Sequence, residues 1–300
     1  MKWGRLQVWF KWLWLAAITM AVGWYLHERR ETLLVVLEEF NPLMIFSSLL
    51  LLILAKFALS ENAFAAAQVA WPHVTRLEVY RLYNLTQLGK YIPGSVWQYV
   101  SRSAGYRFAG ASYSAIANAL LLETLWVLSG AALVGAVLAG PSVLSQAIQS
   151  GLFPAQQLPL TASIALGSLV VVVLVAIRFR RRLLEVRQKL VPGPRVFVLQ
   201  ISIWSLLGLS FWILLPAGGN IVPLDYTIGL FAIAYAVGFV TVLAPAGLGV
   251  REACLVLGLG TYISIEEALV IVIVARVVYL VAEMLLAVLM LSLRIDAPCK

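Results

Sequence analysis

The chain has 300 residues, 62% of them hydrophobic and 12% charged, with a formal net charge of +8 and a mean hydropathy of +0.94. A water-soluble domain carries about a quarter charged residues and under half apolar ones, so these values exclude an ordinary soluble fold and define a chain whose main solvent is lipid. The positive balance then reads as an orientation signal of a membrane protein, and no nucleic-acid partner is expected.

A bilayer core calls for about 20 apolar residues in helical form. Residues 8–26 form the first such stretch, with Trp9, Trp12, Trp14, Trp24 and Tyr25 as aromatic belts at its ends. Its end at Trp24-Tyr25-Leu26-His27-Glu28 lacks a small-residue cleavage pattern, so it reads as a span and not a signal peptide. Residues 43–59 form a second span with Lys56 near its end, where Lys56 and Glu61 are expected to snorkel to the interface. Residues 72–88 mix Val74, Leu77, Tyr80 and Leu88 with Arg76, Glu78 and Arg81, as an interfacial helix does. The stretch 87–102 is too polar to span and too apolar for a solvated loop.

Spans are next predicted over 111–140, interrupted by Glu123, and over 158–177, which has no charge. The following loop holds Arg178, Arg180, Arg181, Arg182, Arg187, Lys189 and Arg195 against the single acid Glu185. Loops 141–157 and 217–224 carry no Lys or Arg, and Lys2, Arg5 and Lys11 precede the first span. Together these place the amino terminus and the 178–195 loop in the cytoplasm, in a multi-pass protein of the cytoplasmic membrane. Further spans are predicted over 196–216, 226–243 and 268–293, the last containing Arg276 and Glu283. Between the final two, the break at 243–252 leads into only about a dozen apolar residues, short enough for a re-entrant segment.

The two irregular stretches share a pattern: a proline and glycine break, then a short helix near an arginine. Pro93-Gly94 precedes Arg102, and Pro245-Ala246-Gly247 precedes Arg251. Irregular backbone at membrane depth survives where protein covers it or water reaches it. Paired breaks in the two halves of a chain mark the binding sites of transporters built from inverted repeats. A helix start there offers free amides and a positive dipole end to an anion. The bland alternative is a pair of ordinary kinks or turns.

Charges within spans are a second signal, because each costs at least a few kcal/mol unless paired or hydrated. Arg276 and Glu283, seven residues apart, share a helix face. Arg251 with Glu283, or Glu252 with Arg276, are sensible partners, and Glu123 lies mid-span. A structural ion pair locking the bundle is the competing reading.

Enzyme signatures are missing: there is no Gly-x-Ser-x-Gly, no P-loop and no His-Glu-x-x-His. His27 and His73 fall near span ends, and Asp225 and Asp296, the only aspartates, flank spans. Cys254 and Cys299 have no spaced ligand partners. Neither a metal nor a cofactor is expected.

The stretches Lys90-Tyr91-Ile92-Pro93-Gly94-Ser95-Val96-Trp97-Gln98 and Pro245-Ala246-Gly247-Leu248-Gly249-Val250-Arg251-Glu252-Ala253 resemble two signature segments of the lysylphosphatidylglycerol synthase transmembrane-region family, also called flippase-like. The resemblance covers nearly the whole chain, and the second motif is the more specific. Ala246 departs from the Gly common in that family. The sequence stops soon after its last span, without the aminoacyltransferase domain of the full-length synthases, so aminoacyl transfer is not implied.

What the resemblance implies is translocation of a lipid with a phosphate-bearing headgroup: a phospholipid, an aminoacyl-phospholipid or a polyprenyl-phosphate-linked lipid. By position, Lys90, Tyr91, Pro93, Gly94, Trp97 and Arg102 would form one wall of the headgroup site. Pro245, Gly247, Gly249, Arg251 and Glu252 would form the other. Arg251 suits phosphate through its planar fork. Glu123, Arg276 and Glu283 are added as cavity charges from the physics of intramembrane charge alone. The expected fold is an all-α polytopic bundle of about seven spans and two broken segments, one flippase-like domain over 1–300 with an inverted-repeat arrangement, and not an enzyme. Two alternatives remain open: an accessory or scaffold subunit serving a lipid-modifying enzyme of the cell envelope, and a membrane transferase acting on lipid-linked substrates.

Overall fold

The computed structural model describes residues 38, 40–91, 96–142, 193–215, 222–240 and 249–293, and every regular element among them is helical. Predicted spans 8–26 and 158–177 lie outside these residues. So do nearly all of the basic loop and the breaks Pro93-Gly94 and Pro245-Ala246-Gly247.

Helix α1, Pro42–Ala70, starts with Pro42 in its first turn and the Asn41 side chain accepting from the Leu43 N–H at 2.9 Å. At 29 residues it runs about 43 Å, well beyond the bilayer core. It passes the predicted end at residue 59 because the polar residues there have protein partners, described below. Helix α2, Arg76–Gln87, opens on a capping box between Thr75 and Glu78. It buries Val79, Tyr83 and Asn84 and leaves Leu77 exposed, consistent with an element lying along the bundle. A 3-10 turn, Leu88–Tyr91, follows it. Trp97 opens helix α3, Trp97–Phe108.

Helix α4, Tyr113–Leu138, is capped by Ser112, whose hydroxyl accepts from the Ala115 N–H at 3.2 Å. Helix α5, Pro194–Trp212, again begins at a proline. Helix α6 is Leu224–Val240. Helix α7, Val250–Leu259, has 10 residues and starts after Gly249, whose φ of 87° is a left-handed conformation that glycine adopts without strain. Helix α8, Ile265–Ser292, opens on a capping box between Ser264 and Glu267.

Helices α1, α4, α5 and α8 are long and apolar enough to cross a membrane. Helix α6 is apolar and has 17 residues, at the short limit of a span, and the rest of its predicted stretch, 241–243, lies outside the described residues. One stripe of α8, Val277, Val281, Met284, Leu285, Val288 and Leu291, is apolar and exposed, as a lipid-facing surface is. Small residues bring the other helices close. A Cβ added to Gly208 would lie 2.5 Å from Ile228 Cα, and one on Gly229 would lie 2.4 Å from Ala139 N. Only glycine permits α5 and α4 to approach α6 so closely.

Candidate functional site

On α8, Arg276, Tyr279 and Glu283 follow a 3 and 4 spacing and share one face. That face opposes the exposed apolar stripe in character, and charges from three other elements of the chain gather on it. Lys56 of α1 and Lys90 of the 3-10 turn both donate to Glu283 Oε1. Tyr91 donates its hydroxyl proton to Glu283 Oε2 at 2.9 Å. Lys56 also donates to the Tyr279 hydroxyl at 2.7 Å. Lys56 is 1% and Glu283 2% exposed. Lys56 therefore does not snorkel: its helix continues past it, and the ammonium is satisfied inside the protein.

The Tyr279 ring is the hub of the cluster. Its centroid lies 3.9 Å from Lys56 Nζ, 4.9 Å from Lys90 Nζ and 5.1 Å from Arg251 Cζ. Arg251, at the start of α7, also lies over Phe231 at 4.5 Å and Tyr235 at 5.7 Å. It is held by aromatic faces and makes no ion pair among the described residues, so the expected Arg251–Glu283 pair does not form.

The other expected pair does form, at 3.7 Å between Arg276 Nε and Glu252 Oε1. Glu252 Oε2 accepts from the Gly249 N–H at 2.8 Å, tying the carboxylate to the first turn of α7. Arg276 lies 5.4 Å over the Tyr91 ring, and its Nη2 is buried without a partner among the described residues. Among the described residues, four cations (Lys56, Lys90, Arg251, Arg276) thus meet two carboxylates (Glu252, Glu283), a surplus of two positive charges.

Of the predicted site residues, Lys90, Tyr91, Arg251, Glu252, Arg276 and Glu283 come together here, with Gly249 holding Glu252. Pro93, Gly94, Pro245 and Gly247 lie outside the described residues, but the segments flanking both breaks converge on α8. Trp97 is exposed at the start of α3. Sequence reasoning missed Lys56 as a member of the cluster and Tyr279 as its hub. A tyrosine between Arg276 and Glu283 on the same face was the available signal.

Arg102 and Glu123 form a second pair, with its own hydrogen bonds. Arg102 Nη1 lies 2.5 Å from Glu123 Oε1, and Arg102 Nε donates to Thr86 Oγ1 at 3.2 Å. The guanidinium sits 4.4 Å over the Tyr83 ring and is 1% exposed. Asn62 bonds the Glu123 carbonyl at 3.3 Å and accepts from Gln200 at 2.7 Å, extending the polar network to α1 and α5. Arg102 is thus a closed structural pair that ties α3 to α4.

A third group sits at a wetter position. Glu61 accepts from the Tyr80 hydroxyl at 2.5 Å and pairs with Arg76 at 3.2 Å and with Arg195. Burial and the bond to Glu61 push the Tyr80 phenol above its ordinary range. Here α1, α2 and α5 are joined by partly exposed charges.

Among the described residues, no group of His, Cys, Asp and Glu could hold a metal ion. The molecule is therefore a helical membrane protein whose polar centre is an arginine- and lysine-rich cluster wrapped around two tyrosines. No family model matches the sequence, and no curated protein matches it.

Proposed function

We propose that this chain translocates a lipid with a phosphate-bearing headgroup across the cytoplasmic membrane. The observation that supports this reading is the surplus of buried positive charge on α8, drawn from the flanks of both proline and glycine breaks. Uncompensated cations within a membrane bundle mark substrate pathways, and guanidinium groups suit phosphate. The headgroup would enter beside Arg251 and Arg276 while the tails stay in lipid against the apolar faces. On this reading the chain has about seven spans, an amino terminus in the cytoplasm and two halves related as inverted repeats.

The closed Arg102–Glu123 pair supports a second reading, an accessory or scaffold subunit serving a lipid-modifying enzyme, in which the charges only lock the bundle. Reconstitution separates the two. Proteoliposomes containing the purified chain and a headgroup-labelled anionic lipid should lose outer-leaflet and inner-leaflet signal to an impermeant quencher, and protein-free vesicles only the outer half. Equal quenching in both, for every anionic or polyprenyl-phosphate lipid tried, would overturn transport and leave the accessory reading.

A further inference from the structure

We infer that the cluster on α8 is matched to a phosphate bearing two negative charges, a phosphomonoester, in preference to the single charge of a phosphodiester. This inference rests on the headgroup reading above. Among the described residues four cations face two carboxylates, so two positive charges remain uncompensated there. A bound phosphodiester would leave one of them, beside Lys56 and Arg251, which are 1% and 8% exposed. A phosphomonoester dianion would leave none, and an unpaired buried charge is the unfavourable state.

The donors point the same way. Arg276 Nη2 is buried with no acceptor among the described residues. Arg251 is packed against three aromatic rings and has no carboxylate partner among the described residues. A phosphomonoester presents three strong acceptor oxygens, against two unesterified oxygens in a phosphodiester, and so satisfies more of these donors at once. Burial lowers the pKa of the Lys90 ammonium, with Glu283 opposing that effect. A dianion beside it would act on the same side as Glu283 and favour the charged form.

The test uses the full chain in phosphatidylcholine nanodiscs at pH about 7.5, above the second phosphate pKa of about 6. Thermal stabilisation is titrated with phosphatidate, with phosphatidylglycerol and with inorganic phosphate in solution. Phosphatidate should bind roughly tenfold or more tightly than phosphatidylglycerol, the difference of one unit charge in a partly desolvated site. Arg276→Gln should reduce the surplus to one and shrink that preference. Glu252→Gln should raise it to three and widen it. Monodispersity in detergent checks that both variants fold.

Equal binding of the two anionic lipids above phosphatidylcholine would overturn the two-charge match and leave the anionic-headgroup reading standing. Inorganic phosphate acting as strongly as phosphatidate would uphold the two-charge match but make the ligand soluble, against the lipid reading. No effect from any of the three would overturn both. A preference unchanged in both folded variants would show that charge count does not select the ligand, and the inference would fall.

Discussion

Lys56 of α1 and Glu283 of α8 form a buried ion pair across 227 positions of sequence, and Lys90 shares the same carboxylate oxygen. The sharing makes the partners unequal. Without Lys56, Glu283 keeps Lys90; without Glu283, both lysines lose their only carboxylate among the described residues. Glu283→Gln should therefore destabilise more than Lys56→Met, by about 3–5 kcal/mol as for one broken buried pair. Thermal melts of purified protein in one detergent check the order, and the reverse order would refute the shared arrangement.

Arg102 and Glu123 should behave as a simple pair. Each single substitution, Arg102→Met or Glu123→Leu, strands a buried charge and should lower the melting temperature strongly. The double variant should melt closer to the wild type than either single one. Its lipid transport should persist, because the pair makes no hydrogen bond or ion pair to the α8 cluster among the described residues. Loss of transport in a stable double variant would return Arg102 to the headgroup path.

Arg251→Lys should fold but fail in headgroup transport by roughly tenfold or more, since lysine keeps the charge and loses both the planar fork and the stacking on three rings. Combining Arg251→Ala with Glu283→Gln should give no rescue, as these two residues are not partners. Proteoliposome rates and detergent melts, taken on the same samples, separate the two effects. Wild-type transport by well-folded Arg251→Ala would remove the headgroup role and favour the accessory reading.

Gly229→Ala and Gly140→Ala form a matched pair of tests. A Cβ at Gly229 would meet the Ala139 backbone at 2.4 Å, and a Cβ at Gly140 meets nothing within 4 Å. The first should cost about 1–3 kcal/mol through overpacking, and the second should be near neutral. Melting temperatures in detergent are sufficient to compare them.

The orientation has its own check. In a background lacking Cys254 and Cys299, a cysteine placed within 178–195 should be shielded from impermeant thiol reagents in intact cells, and one within 217–224 should label. The basic residues of the first loop and their absence from the second motivate this. The opposite labelling pattern would invert the topology.

Spacing within one helix was legible from sequence, and partner choice between helices was legible only in part. The seven-residue interval of Arg276 and Glu283 placed them on one face, and opposite charge correctly joined Glu252 to Arg276. The same logic joined Arg251 to Glu283, where the fold instead supplies two lysines to Glu283 and three rings to Arg251. Lys56 was misplaced because hydropathy ends a span where polar residues begin. Helix α1 continues there through contacts from α2, α5 and α8, including those at Asn62 and Glu61. Such contacts leave no local trace. The helical character of α2 was legible, since its capping box and amphipathic pattern are local properties.

The glycine contacts also decide which parts of the molecule can travel. Helices α4, α5 and α6 meet backbone to backbone at Gly208 and Gly229, so sliding one past another would collide main-chain atoms that have no rotamer to yield. By contrast, α3 meets α2 at Gly105 and α7 meets α6 at Gly258 through the ends of Leu82 and Leu230 side chains, which can turn aside. The rigid block is thus α4 to α6, with α3 tied to it by the Arg102–Glu123 pair, and the looser seam is the one between α7 and α6. On the transport reading proposed above, α7 carries Arg251, so movement along that seam would be registered as this cation leaving and rejoining the Tyr279 ring.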